Sequence, residues 1–160
     1  MIIRSLLIAA ALAVTFPAAA EPRETTVPVA EQDGEMIAAI AEARMTLPRF
    51  WTAMETAEPG TGGYSLKVAI TDGDQVEHFT TTGVEHVDSK IFARIANTPQ
   101  FITTVAYDQR IEVPEADISD WMYLRNGKVV GGYTLRLLLS RMTPAEKEAA
   151  GVAHLEFEEP

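Results

Sequence analysis

Hydrophobic residues spaced three and four positions apart mark the first regular element of the chain. Between residues 35 and 47 the apolar side chains fall on one helical face and most charged side chains on the other, which predicts an amphipathic helix. Proline is tolerated in the first turn of a helix but not in its middle. We therefore expect this helix to end near Pro48 and a second short helix to follow, until Glu58-Pro59-Gly60.

From residue 65 onward the hydrophobic pattern has a period of two, which is typical of β-strands. Residues 66–70 alternate between apolar and more polar side chains, and Asp72-Gly73-Asp74 predicts a turn into a second strand over residues 76–82. Asn126-Gly127 lies between two apolar runs and is the strongest hairpin signal in the chain. Further strands are predicted over residues 91–95, 102–107, 110–113, 118–124 and 128–133.

The C-terminal part of the chain is predicted to be helical. Residues 135–142 fit either a buried strand or a short buried helix, because periodicity does not separate the two. Thr143-Pro144-Ala145-Glu146 forms a capping box with proline at the first helical position, which predicts a final helix to about Ala150. Residues 151–160 are acidic, and we expect a loosely attached tail.

These elements predict an α+β fold. An N-terminal helix or helix pair packs on a bent, partly barrelled antiparallel sheet of about five or six strands, and a C-terminal helix follows.

The first 20 residues have the organisation of a secretory signal peptide. Arg4 precedes an apolar run over residues 6–16, and Ala18-Ala19-Ala20 supplies the small residues of a cleavage site. The run is shorter than the roughly 20 residues that a membrane-spanning helix needs. We expect cleavage after Ala20 and export to the periplasm without a stable membrane anchor. In the exported chain, we expect an extended leader over residues 21–34 and a single domain over residues 35–150.

Composition and charge narrow the classes of function. The 160 residues contain 47% hydrophobic and 22% charged residues, as a single globular domain does. With 23 acidic against 13 basic residues and a net charge of −10, the chain offers no basic face for phosphate, so we expect no nucleic-acid partner. The absence of cysteine excludes disulfides, thiolate catalysis and cysteinyl metal sites. No cofactor motif is recognisable, so no cofactor is expected.

The predicted Asn126-Gly127 hairpin sets a register for its flanking residues. A two-residue loop places Trp121 opposite Gly132 and Asp120 opposite Tyr133. Glycine then leaves room for the indole, and the Asp120 carboxylate accepts a hydrogen bond from the Tyr133 hydroxyl or from Arg136. This arrangement is either a packing device that closes the sheet or a ligand surface built from Trp121, Tyr133 and Asp120.

Two further groupings of polar residues are possible. A turn near Thr82-Gly83 would bring His78 and His86 together with Asp88 nearby, a set that could hold a metal ion. Ser119, His78 and Asp120 could form a catalytic triad. Adjacent strand residues project to opposite faces, however, which counts against Ser119 and Asp120 acting together.

Three segments of the chain resemble the signature of a bacterial family. Asp117-Ile118-Ser119-Asp120-Trp121-Met122-Tyr123, with Asn126-Gly127-Lys128 and Gly131-Gly132-Tyr133-Thr134-Leu135-Arg136, closely resembles the domain of unknown function 2314, also called YegJ-like. The likeness covers most of residues 35–142 and implies a compact α+β domain without an established activity. Thr80 stands where members usually carry an aromatic residue, which argues against a ligand stacking beside Glu77 and His78. Tyr107-Asp108 stands where Gly-Asp is common.

The sequence leaves two classes of function open. We expect a non-catalytic binding module for a small molecule or a protein, because the chain lacks a recognisable nucleophile and base but offers aromatic and carboxylate side chains. The alternative is a small hydrolase or metal-dependent enzyme that uses Glu77, His78 and Asp120. The candidate binding residues are Glu77, His78, Asp120, Trp121, Tyr133, Thr134 and Arg136.

Overall fold

The structure is a computed structural model that describes residues 33–158. The predicted signal peptide, its cleavage after Ala20 and nearly all of the predicted leader lie outside the described residues. In the described part of the chain, no helix is both long and apolar enough to cross a membrane.

The first helix, α1, spans Gly34–Thr56 as one continuous element. Asp33 caps its N-terminus and accepts hydrogen bonds from the backbone N–H groups of Glu35 and Met36. The expected break at Pro48 is wrong, because proline lies inside the helix. The buried face runs through Leu47 and Phe50 on either side of Pro48, so packing against the sheet outweighs the lost backbone hydrogen bond.

Six antiparallel strands form one open sheet, with the order β4-β3-β2-β1-β5-β6. The strands are β1 (Thr61–Asp72), β2 (Gln75–Val87), β3 (Lys90–Ile95), β4 (Arg110–Val113), β5 (Ile118–Arg125) and β6 (Lys128–Gly131). Register shifts interrupt the β1–β5 and β2–β3 ladders, and such bulges bend a sheet. The α+β prediction is confirmed, with the strand number at its upper bound and the sheet not closed into a barrel.

Strands β1 and β2 are longer than predicted, and two other predicted strands include residues that are not strand in the structure. Residues 102–107 form a loop, in which the Ile102 N–H bonds to the Glu77 carboxylate and the Ala106 N–H to the Gln109 side chain instead of to a neighbouring strand. The strand predicted over 128–133 ends at Gly131, and a second helix, α2, spans Tyr133–Arg141. The ambiguous segment over 135–142 is therefore mostly helical.

The C-terminal elements return to the sheet. The capping box of Thr143 and Glu146 is confirmed and begins α3, which spans Pro144–Ala149. Where we expected a loose tail, residues 156–158 lie along β6. Val129 donates its N–H to the Glu156 carbonyl at 2.8 Å, and Glu158 donates its N–H to the Val129 carbonyl at 2.9 Å. Backbone pairing thus extends past β6.

The main core lies between α1 and the sheet. Phe50 and Trp121 are its largest side chains and are 0% and 1% exposed. A smaller cluster joins Ile102, from the loop that follows β3, to Phe79 and Ile95. The buried members of the main core are Ala43, Leu47, Phe50, Ala53, Leu66, Val68, Ile91, Ala93, Val113, Ile118, Trp121 and Tyr123.

Candidate functional site

The β5–β6 hairpin has the predicted register as far as its ladder extends. Arg125 pairs with Lys128 and Met122 with Gly131, and the Gly132 N–H donates to the Trp121 carbonyl at 2.8 Å. The glycine that makes room for the indole is Gly131, whose added Cβ would lie 2.6 Å from two indole carbons. The prediction that Gly132 has this role is wrong, because the chain leaves the strand there and turns into α2.

The Asp120 side chain caps helix α2. Its carboxylate accepts the N–H groups of Trp121 at 2.8 Å, Tyr133 at 3.1 Å and Thr134 at 2.8 Å, together with the Thr134 hydroxyl at 2.6 Å. The local N-cap residue is glycine and provides no side chain, so Asp120 supplies the negative charge that a helix N-terminus favours. The predicted bonds from the Tyr133 hydroxyl and from Arg136 are therefore wrong.

Trp121 is part of the core. The indole is 1% exposed, and its Nε1–H donates to the Ala43 carbonyl of α1 at 2.8 Å. The Tyr133 ring meets it edge-on, with the ring centroids 5.8 Å apart. These contacts agree with the packing interpretation of Trp121, and Tyr133 is the ring nearer the surface because it is only partly buried.

A cleft of about 350 Å³ lies between the second half of α1, the β5–β6 hairpin and the start of α2. Three of the predicted binding residues line it, namely Trp121, Tyr133 and Arg136. Asp120 and Thr134 do not line the cleft, but their hydrogen bonds fix the first turn of α2, to which Tyr133 and Arg136 belong. Five of the seven predicted residues thus meet at one place in the fold.

The cleft also contains charged residues that the sequence analysis missed. Arg125 binds Glu58 at 2.8 Å and Glu158 at 2.9 Å, and it also donates to the Tyr123 hydroxyl at 2.8 Å. Burial alone would lower the pKa of Arg125, but the hydrogen bond and charge of Glu158 raise it above its usual value. Burial raises the pKa of Tyr123, so this hydroxyl stays protonated at neutral pH. Arg49 from α1 lines the same cleft.

Arg49 and Arg136 have no carboxylate partner within residues 33–158. Arg136 donates to the main-chain carbonyls of Gly131 and Glu158 and lies over the Phe157 ring, 4.6 Å from its centroid. Arg49 is exposed and has no hydrogen bond or ion pair in the described part of the chain. Three guanidinium groups and two carboxylates in the cleft leave a formal charge of 3 − 2 = +1.

Glu77 and His78 lie apart from this cleft. Glu77 pairs with Ile70 near one end of β1, whereas Arg125 pairs with Thr61 at the other end. The Glu77 carboxylate is 4% exposed and accepts the backbone N–H groups of residues 100–102 at 2.9 to 3.2 Å. Its contacts fix the loop after β3.

His78 forms a hydrogen bond with Ser119, with His78 Nδ1 and Ser119 Oγ 2.9 Å apart. His78 is exposed overall, but partial desolvation of its imidazole, followed by the charges of Lys67 and Arg44, lowers the pKa of His78 from its usual value. Ser119 is 2% exposed, and the Asp120 carboxylate is directed to α2. A serine and histidine pair therefore forms, but the triad with Asp120 does not, as strand alternation predicted.

The expected approach of His78 to His86 is wrong. Strand β2 runs through both residues, with a bulge at Gly83 instead of a turn, so eight residues of extended strand, about 26 Å at the usual rise per residue, separate their backbones. His86 lies near Trp51 and Glu55 of α1. Within the described residues, no group of three or more His, Asp or Glu side chains is placed to hold a metal ion.

The residues that sequence reasoning missed come from distant parts of the chain. Arg49 and Glu58 belong to α1 and the turn after it, Arg125 to the end of β5, and Glu158 to the C-terminal segment. Each is a single charged residue without a motif, and no local spacing signals that they meet. Tyr123 was within the recognised signature, two positions after Trp121, and same-face alternation could have identified it.

Comparisons with known proteins place the chain among bacterial proteins of uncharacterised function. The family model described as "Uncharacterized protein conserved in bacteria (DUF2314)" matches residues 33–155. "Uncharacterized protein YegJ" of Escherichia coli K12 is 38% identical over 101 residues, which cover 63% of this chain and 65% of that protein. A putative ankyrin repeat protein of Neisseria meningitidis serogroup B is 33% identical over 76 residues, covering 48% of this chain and 30% of that protein. The chain thus spans less than two thirds of the length of these relatives, and no solved structure matches it significantly.

Proposed function

The chain belongs to the uncharacterised bacterial DUF2314 family, and we propose that it is an exported, non-catalytic binding module whose ligand site is the cleft beside Trp121. The ligand we propose is a small organic molecule with a ring or other planar group. The observation that carries the proposal is the cleft itself, which joins three of the predicted binding residues with guanidinium groups that lack carboxylate partners.

The size and lining of the cleft support this proposal. Ligand sites in proteins commonly have volumes of about 300 to 1,000 Å³ and combine apolar walls with a few polar groups. At about 350 Å³, the cleft is at the small end of that range. Tyr133 supplies an aromatic wall, and Arg49 and Arg136 supply hydrogen-bond donors. This combination favours a small planar ligand over a broad protein interface.

The catalytic alternative receives less support from the geometry. Glu77 bonds main-chain N–H groups of the loop after β3, whereas Asp120 bonds those of the first turn of α2, and both carboxylates are almost fully buried. His78 contacts Ser119, but Ser119 is itself buried. Glu77, His78 and Asp120 are thus not arranged around a common substrate position, as acid and base catalysis requires.

The binding proposal can be tested by NMR with fragments. A nitrogen-15 spectrum of the chain is recorded with a small library of neutral, anionic and cationic aromatic compounds. We expect saturable shifts at the Trp121 indole N–H and at the amides of Gly131 and Tyr133. Shifts confined to other surfaces, or no shifts at all, would refute the proposed site.

A pair of matched variants tests the location of binding. Thr52 and Thr56 are both exposed on α1, and each hydroxyl donates to the carbonyl four residues earlier, but only Thr52 lines the cleft. We expect Thr52→Trp to abolish the shifts and Thr56→Trp to preserve them. Equal binding by the two variants would mean that the ligand lies elsewhere.

Export is proposed from the N-terminal pattern and is tested separately. Expression in a Gram-negative host, followed by osmotic-shock fractionation and intact mass analysis, should give a periplasmic protein that begins at Glu21. An uncleaved chain in the cytoplasmic fraction would contradict this part of the proposal.

A further inference from the structure

We infer that the ligand of this cleft is a small organic carboxylate, which binds Arg125 in place of the Glu158 carboxylate. This inference rests on the proposed binding function and adds the chemical class of the ligand. It also makes Glu158 an internal competitor of that ligand.

The charge of the cleft favours an anion. The whole chain has a net charge of −10, yet the cleft carries a formal +1. Arg94, Arg110 and Arg141 each have a carboxylate partner. Within residues 33–158, Arg49 and Arg136 in the cleft have none, and Arg44 outside it bonds only to main-chain carbonyls. Guanidinium groups form strong hydrogen bonds with carboxylates, so two guanidinium groups without a carboxylate partner at one cleft favour a ligand of this class.

Arg125 already has the geometry of a carboxylate site. Its two terminal nitrogens bind two different carboxylates, Glu158 from Nη1 at 2.9 Å and Glu58 from Nη2 at 2.8 Å. A carboxylate ligand could replace one of these two side chains, because it would bring the same charge and the same acceptor atoms to Arg125. Glu58 follows α1 directly, whereas Glu158 belongs to a segment that has few partners besides β6 and Arg136.

Only the side chain of Glu158 has to move in this exchange. The segment is held by main-chain bonds between Glu158 and Val129 and by the Arg136 bond to the Glu158 carbonyl, and these do not involve the carboxylate. The Glu158 side chain is 37% exposed, so its carboxylate can turn into water at little cost. The released Arg125 nitrogen then lies in the same cleft as Arg49 and Arg136, beside the Tyr133 ring.

The inference is tested with four probes of related size or charge. Benzoate, its neutral isostere benzamide, the cation benzylamine and inorganic phosphate are titrated against the chain by NMR. We expect benzoate to shift the cleft signals, with an affinity that falls as sodium chloride is raised, and to bind at least about tenfold more tightly than the other three. Equal binding of benzamide would overturn the carboxylate class but leave the proposed binding site in place. Preferential binding of phosphate would also overturn it. Binding of no probe at the cleft would overturn the inference, and the fragment library then decides the proposed function.

Variants of the C-terminal segment test the competition. Glu158→Gln should bind benzoate about two- to fivefold more tightly, since it removes one ion pair to Arg125. Glu156→Gln is the matched control, because Glu156 pairs with Lys128 and does not line the cleft. Unchanged or weaker binding by Glu158→Gln would show that Glu158 is not a competitor.

Variants of α1 test the contribution of the free guanidinium. Arg49→Gln should weaken benzoate binding about fivefold. Met45→Gln introduces the same side chain at an exposed position of α1 outside the cleft and should have no effect. Equal affinity of Arg49→Gln and the unmodified chain would contradict the assignment of Arg49 to the anion site.

Discussion

Replacing Gly131 by alanine adds one methyl group directly against the Trp121 indole. The new Cβ would lie 2.6 Å from the indole Cε3 and Cζ3 atoms and would also clash with the Trp121 carbonyl oxygen. That oxygen cannot shift freely, because it accepts the Gly132 N–H at 2.8 Å. Overpacking of this kind costs about 1 to 3 kcal/mol. Since Gly131 has φ of 78°, a side chain adds about 1 to 2 kcal/mol of backbone strain. We expect Gly131→Ala to lower the free energy of unfolding by about 2 to 5 kcal/mol.

Gly132→Ala is the control for this experiment. Gly132 also has a positive φ, 67°, but the nearest atoms to its added Cβ are side-chain carbons of Phe157 and Val129 at 3.4 Å. Only the backbone strain of about 1 to 2 kcal/mol is expected there. Urea unfolding of both variants measures the difference, and the melting temperature should fall by roughly 4 °C for each kcal/mol lost. Equal destabilisation by the two substitutions would refute the assignment of Gly131 as the indole contact.

Three further predictions concern the Trp121 side chain, the Asp120 cap of α2, and His78, which lies apart from the cleft. Trp121→Ala should lower the free energy of unfolding by about 3 to 5 kcal/mol in urea titrations, and an unchanged stability would contradict its place in the core. Thr134→Val removes one hydrogen bond and should lower the free energy of unfolding by about 1 kcal/mol. Asp120→Ala leaves several buried N–H groups without an acceptor and should lower it by about 3 kcal/mol or more. If thermal melts showed Thr134→Val to be the more destabilising change, the capping role of Asp120 would be contradicted. His78 has a lowered pKa in the folded state, so the unfolded chain binds more protons than the folded chain below pH 6.5. The free energy of unfolding should therefore fall as the pH drops through this range. A His78→Gln chain with the same pH slope in urea titrations would show that His78 does not cause this pH dependence.

Local turn chemistry explains why the β5–β6 hairpin was predictable. Asn126 and Gly127 both have positive φ, as the two-residue turn requires, and the turn then fixes every pair from Arg125 to Gly131. Gly131 and Gly132 also have positive φ and take the chain out of the strand. A period-two pattern cannot reveal this exit, because Tyr133 still continues the alternation in the sequence.

Tertiary contacts explain why Pro48 and Gly83 were interpreted wrongly. Both residues interrupt regular structure in isolation, and the sequence analysis placed a helix boundary at one and a turn at the other. In the structure, α1 continues through Pro48 because its buried face continues, and β2 continues through Gly83 by means of a bulge. Whether a proline or glycine ends a helix or strand, or only distorts it, depends on the tertiary contacts of the residues on both sides. The local sequence does not contain this information.

The signature residues Asp120 and Trp121 point to the candidate site because they hold together the elements that surround the cleft. The sequence suggests Asp120 and Trp121 either for packing or for ligand contact. In the structure Asp120 bonds the first turn of α2 and Trp121 bonds α1, so both mainly hold elements in place. Those bonds position Tyr133 and Arg136, the first and fourth residues of α2, at the cleft edge beside Arg125. A buried carboxylate at a helix N-terminus thus positions the cationic and aromatic groups of the cleft without contacting a ligand itself. The distinction has a measurable consequence, since Asp120→Ala should reduce folding stability and ligand affinity together, whereas Arg49→Gln should reduce affinity alone.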